Sequence, residues 1–275
     1  MSHADTGISK LAVLGAGKMG GTLIRALIDA AVIGPGQVMA TSRHAETAAD
    51  ATRRLGVEVT TDNRTAIRGA EVILVAVKPQ ALEEVLDEIG GLLEPNQLLV
   101  SIVASATTTF IERHCAQPVP VVRAMPNTPS LVKAGMSVLC AGVQATPGHL
   151  GTAQRLFGAV GRTLVMDEKH MDAVTALGAS GTAFVYVVLE SLAEGGVKVG
   201  LPRHIATELA AQTCLGAAKM VLETGEHPAL LKDAVTTPAG CTIDGLLALE
   251  EGGLRVTLIK AVVESTLRAG QLLTK

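Results

Sequence analysis

The sequence predicts an α/β chain, with a doubly wound parallel sheet over residues 8–167 and an all-helical half over 168–275. Three observations carry this. From Ile8 to about Val165 short apolar runs alternate with helical stretches, as repeated strand–helix–strand units do. One run, Val72–Ile73–Leu74–Val75–Ala76–Val77, is apolar without alternation, the mark of a strand covered on both faces. After Asp167 strand signals nearly vanish and helical patterns take over.

Leu11–Leu14 is the first strand, and Gly15 separates it from a helical stretch over Lys18–Ala31. Gln37–Thr41 is the second, ahead of a helix from about His44. Leu98–Ile102, Val119–Arg123 and Thr163–Met166 are further strand candidates. In the second half Met171–Leu177, Thr182–Val199, Arg203–Glu223 and Leu254–Leu273 read as helices. Ala183–Leu192 is apolar on most sides, and Leu254, Leu258, Ile259, Val262, Val263 and Leu267 surround much of the last helix. A helix apolar all round has to be buried. So short a half can hardly cover several of them, which favours association of subunits over burial within one chain.

Composition narrows the function. The chain is 48% hydrophobic but only 1% aromatic, so its core is aliphatic and it lacks rings on which nucleobases would stack. A net charge of −3 gives no basic footprint for nucleic acid. Cys115, Cys140, Cys214 and Cys241 lie far apart, without metal-ligand spacing, and read as thiols of a reducing compartment. The first ten residues lack an apolar signal core, and no run of about 18 apolar residues occurs. The expectation is a cytoplasmic protein with no membrane partner and no bound metal.

Gly15–Ala16–Gly17–Lys18–Met19–Gly20 fits the G-x-G-x-x-G pattern between a strand and a helix. The first glycine permits the tight turn, the second the approach of a pyrophosphate, the third close helix–strand packing. This is the fingerprint of a Rossmann dinucleotide site. Thr41–Ser42–Arg43 ends the second strand where an NAD site usually offers Asp or Glu, and a hydroxyl with a guanidinium suits a 2′-phosphate instead. NADPH is therefore favoured, with NADH open and a solvated Arg43 the alternative. Val75–Ala76–Val77–Lys78–Pro79–Gln80 carries a buried strand into a proline at a helix start and should line the cofactor cleft. Lys78 reads equally well as a cofactor contact or as a solvated lysine. Arg123–Ala124–Met125–Pro126–Asn127–Thr128–Pro129 also follows a strand, with Asn127 near the expected nicotinamide end or simply part of a stiff loop.

In the second half, Gly178–Ala179–Ser180–Gly181–Thr182 separates two helical stretches. Thr236–Thr237–Pro238–Ala239–Gly240–Cys241–Thr242 precedes another helix, where N–H groups and hydroxyls suit a carboxylate or an ordinary cap. No triad, zinc spacing or carboxylate pair emerges, and none of the seven histidines falls in these motifs. Without an evident base for an alcohol substrate, hydride addition to an activated double bond such as an imine is the suggested chemistry.

Together these motifs, with Asp172–Ala173–Val174–Thr175–Ala176–Leu177 and Asp233–Ala234–Val235–Thr236–Thr237–Pro238–Ala239–Gly240–Cys241–Thr242–Ile243, resemble the pyrroline-5-carboxylate reductase family over roughly Ile8–Leu272. The resemblance implies reduction of 1-pyrroline-5-carboxylate to L-proline with NAD(P)H. It also implies helical domains that pair as a homodimer, with a larger ring as a further assembly. It carries cofactor contacts to Leu14, Gly15, Ala16, Gly17, Lys18 and Met19, to Ser42 and Asn63, to Ala76, Val77, Lys78 and Pro79, and to Ile102, Val103 and Ala104. Gly20, Arg43 and Asn127 join them from the residue reading. Thr237, Ala239, Gly240 and Cys241 match substrate-binding positions, and Thr242 is the candidate catalytic residue, since no titratable group in the motifs offers a proton. Two departures stand out: Gly178–Thr182 where the family usually has Ser-Gly-Ser-Gly-Pro, and Ala239–Gly240 where it usually has Gly-Gly. A 3-hydroxyacid or ketopantoate-type dehydrogenase is one rival, but Lys198 and Lys219 lack a supporting motif. A non-catalytic dinucleotide-binding protein is the other.

Overall fold

Eight strands form one sheet in the computed structural model, which describes residues 8–104 and 106–271. They are β1 (Leu11–Leu14), β2 (Val38–Thr41), β3 (Glu58–Thr60), β4 (Val72–Val75), β5 (Leu98–Ser101), β6 (Val121–Met125), β7 (Gly135–Ala141) and β8 (Gly161–Val165), in spatial order 3-2-1-4-5-6-7-8. The helices among them are α1 (Lys18–Asp29), α2 (Ala45–Leu55), α3 (Asn63–Ile67), α4 (Leu82–Ile89), α5 (Thr108–Glu112) and α6 (Pro147–Gly158). Strand order reverses between β1 and β4. In a doubly wound sheet that switch point, at the carboxyl ends of the strands, is where ligands bind.

The apolar run through β4 has a simple origin. Successive side chains of a strand point to opposite faces. Leu11 and Val13 of β1 and Val72 and Leu74 of β4 join one core with Leu23, Leu27 and Phe157. Ala12, Leu14, Ile73 and Val75 join the other with Leu86 and Ile111. Both faces are covered, so both sets are apolar.

One junction departs from the parallel pattern: β7 runs antiparallel to β6 and parallel to β8. The connection from Pro126 to Ala134 is too short for a parallel crossover, which takes a dozen or more residues. A 3₁₀ turn over Thr128–Val132, ended by Lys133 at φ 58°, reverses the chain there. Neither β3 nor β7 stands out in the sequence. β3 has only three residues, and β7 interrupts its apolar positions with Ser137 and opens on Gly135.

The remaining helices are α7 (Met171–Val174), which a π-helical stretch over Thr175–Ser180 joins to α8 (Gly181–Lys198), then α9 (Arg203–Thr224), α10 (Pro228–Ala234), α11 (Cys241–Glu251) and α12 (Leu254–Ala269). Two compact units divide the chain. One runs to Ala179 and takes in the segment from Ser265; the other is Ser180–Glu264. The compact boundary thus falls later than the 167/168 division read from the sequence. The reason is Met171, fully buried with Met125, Val138 and Cys140, which ties the start of the helical half to the sheet unit.

In the second unit α8 and α9 bury small residues, Ala193, Ala206 and Ala210, between them. Large apolar side chains lie outside: Val185, Tyr186 and Val187 on α8, Leu209, Leu215 and Leu222 on α9, and Ile259 and Val263 on α12 are half or more exposed. Among the described residues one helical run, Glu168–Lys198, is long and apolar enough to cross a membrane by length and composition. Its first turns are fixed on the sheet unit by Met171, and Glu190, Glu194 and Lys198 place charges along the rest. These features suit a packing helix better than a span.

Candidate active site

The loop after β1 is shaped by close backbone approach. Gly15 has φ +104°, and a Cβ on it would lie 2.8 Å from the Ala76 carbonyl oxygen. A Cβ on Gly20 would meet the Gly15 carbonyl oxygen at 2.0 Å, so α1 can pass this close to β1 only with glycine there. Gly17 is different. Its Cβ would meet nothing within 4 Å, and it is exposed at the N-cap of α1 with no side chain capping the helix. A helix N-terminus left uncapped beneath open space is a ready anion site.

Neighbouring strand ends draw the other predicted residues alongside. Gly15 N–H donates to Thr41 Oγ1 (3.2 Å), Ala16 N–H to Thr41 O (2.6 Å), Ala76 N–H to Leu14 O (2.8 Å) and Ile102 N–H to Val75 O (3.0 Å). Leu14–Gly20, Ser42, Ala76–Pro79 and Ile102–Ala104 therefore gather at the switch point. Lys18 and Lys78 are exposed at its rim.

A cleft of about 350 Å³ opens there, lined by Gly15, Thr41–Arg43, Asn63, Val77, Glu84 and Glu88 among others. Ser42 Oγ and Thr47 Oγ1 share a hydrogen bond of 2.7 Å. Arg43 NH2 stands 3.6 Å from Glu84 Oε2, each side chain 73% exposed. Asn63 Nδ2 donates to Glu88 Oε2 (2.7 Å), and Arg64 Nε lies 3.9 Å from the other Glu88 oxygen. Asp62 caps α3 and so places Asn63; the Thr65 hydroxyl bonded to it, and the Arg64 N–H, hold its carboxyl below the usual range. Glu84 and Glu88 escaped the sequence reading. Glu84 lies in the first turn of α4, where acids commonly complement the helix dipole and signal nothing more.

The residues present fit a dinucleotide. Glycine geometry leaves room over the α1 N-terminus, and the end of β2 offers Ser42 and Arg43 with no carboxylate of its own.

Asn127 serves the fold more than the sequence suggests. Its Nδ2 donates to Gly178 O (2.9 Å) and its Oδ1 accepts from Met136 N–H (2.9 Å), which pins the loop after β6 to β7 and to the π-helical stretch. One amide hydrogen remains for a ligand. The same strand, β6, carries a network that the sequence reading missed. Arg123 is 2% exposed, with NH1 3.3 Å from Glu168 Oε1, and Glu168 accepts 2.7 Å bonds from Thr108 N–H and Thr108 Oγ. An arginine inside a strand was the available signal. Burial, with the Glu168 charge adding to it, pushes the nearby Cys140 thiol up to about 12, so it stays protonated near neutrality.

The second unit holds the remaining candidates on one turn. Gly240 N–H bonds back to Thr237 O (3.1 Å), with Pro238 second and Ala239 third in the turn at φ +55°. Proline followed by a left-handed residue is the type II pattern, in which the third position prefers glycine. Ala239 holds that conformation against the steric preference of its Cβ. A Cβ on Gly240 would sit 2.5 Å from Thr237 Oγ1, so any larger residue there would have to displace the Thr237 hydroxyl. Gly240 is also the N-cap of α11, with no side-chain cap. Thr242 is therefore the second residue of the helix and not its cap, which corrects the capping alternative. Its hydroxyl forms no hydrogen bond among the described residues, and Cys241 beside it is exposed.

Comparisons with known proteins agree along the chain. Residues 168–272 match the family model described as pyrroline-5-carboxylate reductase dimerisation, and residues 10–105 match that of NADP oxidoreductase coenzyme F420-dependent. A pyrroline-5-carboxylate reductase of Methanosarcina acetivorans is 41% identical over 96% of this chain and 97% of its own. The structure of a pyrroline-5-carboxylate reductase from Coxiella burnetii superposes with a TM-score of 0.88 at 33% identity, covering 96% of this chain and 98% of that one. A Plasmodium falciparum pyrroline carboxylate reductase, solved with NADP bound, gives 0.88 at 28% identity over 98% and 100%. With relatives this similar over nearly its whole length, the chain belongs to the pyrroline-5-carboxylate reductase family.

Proposed function

We propose that this protein reduces 1-pyrroline-5-carboxylate to L-proline, the last step of proline biosynthesis, using NADPH and accepting NADH. The observation that carries the reading is 41% identity to a reductase of that name across 96% of the chain, with the glycine turn of this chain intact. Residues 8–167 serve as the dinucleotide-binding domain and 168–275 as the substrate and dimerisation domain. The N–H groups of Gly17, Lys18 and Met19 receive the pyrophosphate. Ser42 and Arg43 take the 2′-phosphate, and Asn63, Ala76–Pro79, Ile102–Ala104 and Asn127 line the rest of the cofactor. NADPH, when bound, supplies the hydride that saturates the imine carbon.

Thr237, Ala239, Gly240 and Cys241 hold the substrate carboxylate at the start of α11, where uncapped N–H groups favour an anion. Thr242 orients the ring nitrogen by its hydroxyl and relays a proton to it from water. A threonine is too weak an acid to be the proton source itself. Two copies pair through the helical half, a ring of such pairs being the larger assembly proposed. The free thiols agree with a cytoplasmic setting.

A substrate panel tests the reaction. NADPH oxidation should follow addition of pyrroline-5-carboxylate. Silence with that imine and turnover with a 2-oxo or 3-oxo acid would assign the chain to another reductase class.

A further inference from the structure

The cleft at the end of β2 holds an unusual pairing of charges for a 2′-phosphate pocket. Arg43 is the cation at that strand end, yet its guanidinium already faces Glu84 at 3.6 Å. Glu88 lines the same cleft, but Asn63 and Arg64 occupy its two oxygens. Glu84 differs: no hydrogen bond from another residue holds it among the described residues, so Arg43 is its one close charged partner. Both side chains are largely exposed, so the pair is weak and exchangeable. A phosphate entering the cleft competes with Glu84 for the Arg43 guanidinium and sits in the field of that carboxylate. A ribose with a free 2′-hydroxyl leaves the pair undisturbed.

We propose that Glu84 is a specificity-determining residue: by holding Arg43 and repelling a 2′-phosphate, it reduces the preference for NADPH and keeps the site open to NADH. This rests on the reading of the cleft as the adenosine end of the cofactor site. Neither the end of β2 nor the glycine turn contains this acid. It comes from α4, beyond the proline that follows β4, so the usual inspection of the second strand does not reveal it.

Fragments of the cofactor separate this effect from catalysis. Binding of 2′,5′-ADP and of 5′-AMP is measured by calorimetry on the full chain, wild type and Glu84→Gln. Replacing a screened surface carboxylate should raise the affinity ratio of 2′,5′-ADP over 5′-AMP by about threefold to tenfold. The gain should shrink in high salt, with 5′-AMP affinity within about twofold of wild type. Glu84→Asp, which keeps the charge, should keep a ratio near the wild-type value. Arg43→Gln should lower it. An unchanged ratio in Glu84→Gln would overturn the proposal and leave Glu84 a solvated surface acid. An equal change for both fragments would also overturn it, as an effect on pocket shape. Failure of both fragments to bind the wild type would remove the adenosine-site reading on which it rests. Absence of pyrroline reduction with fragment binding intact would count against the reaction alone.

Discussion

Thr242 concentrates the chemistry at the scale of a single residue. It lies inside the first turn of α11, behind a turn that Gly240 and the left-handed Ala239 force into one shape. Its hydroxyl is free of the backbone, so its loss removes no cap and should change stability little. Thr242→Ala is expected to keep its fold and NADPH binding and to lose about tenfold or more in kcat/KM, on the order of 1.4 kcal/mol of transition-state stabilisation. Steady-state kinetics beside a melting curve check this. Wild-type kcat/KM in the variant would remove Thr242 from the proposed mechanism. Asn127 gives the contrasting case. The sequence offers it for the nicotinamide end, whereas the structure engages one donor and its acceptor in joining the loop after β6 to Met136 and Gly178.

At the scale of elements, the segment that opens the helical half is tied to the sheet by charge as well as by Met171. Arg123 on β6 is buried and Glu168 is its partner, so neutralising the acid leaves a guanidinium inside the protein with its charge uncompensated. Breaking a fully buried pair costs about 3–5 kcal/mol; with Glu168 a quarter exposed, Glu168→Gln should cost about 2–3 kcal/mol. Urea unfolding measures it. A loss under about 0.5 kcal/mol would mean that water already screens the pair. This network also marks where legibility ends. β1, β4, the glycine turn and the end of β2 are plain in the sequence because each depends on local pattern: period-2 burial on two faces, or a glycine that only one geometry explains. The Arg123–Glu168–Thr108 set spans 60 residues from Thr108 to Glu168, and no local rhythm announces such a pairing. Glu84 was hidden likewise, since an acid at a helix start is ordinary until the fold sets it across from Arg43. The left-handed Ala239 falls between these cases. The departure from glycine is visible in the sequence, but that the backbone still demands φ +55° there is not.

The whole molecule poses one problem that a single chain leaves open. Both apolar faces that the sequence marks for burial, on α8 and α12, have members half or more exposed, Tyr186 at 61% and Ile259 at 58% among them, and α9 adds Leu209, Leu215 and Leu222. The fully buried side chains of the α8–α9 contact are alanines, with half-buried Leu189 and Val197 packed against them. Monomeric soluble proteins rarely leave large contiguous apolar patches in water, and obligate dimers cover such side chains at large hydrophobic interfaces. A two-fold interface would place each face against its copy, the arrangement closed symmetry favours. If folding and pairing are one event, stability depends on concentration. Tenfold dilution should then cost about 1.4 kcal/mol per mole of dimer, which lowers the melting temperature by a few degrees. Light scattering at micromolar concentration should return at least twice the 28.2 kDa of the chain. A monomeric mass, with a melting temperature that does not move on dilution, would mean that these helices are stable with their apolar faces in water, and the proposed dimer would fall.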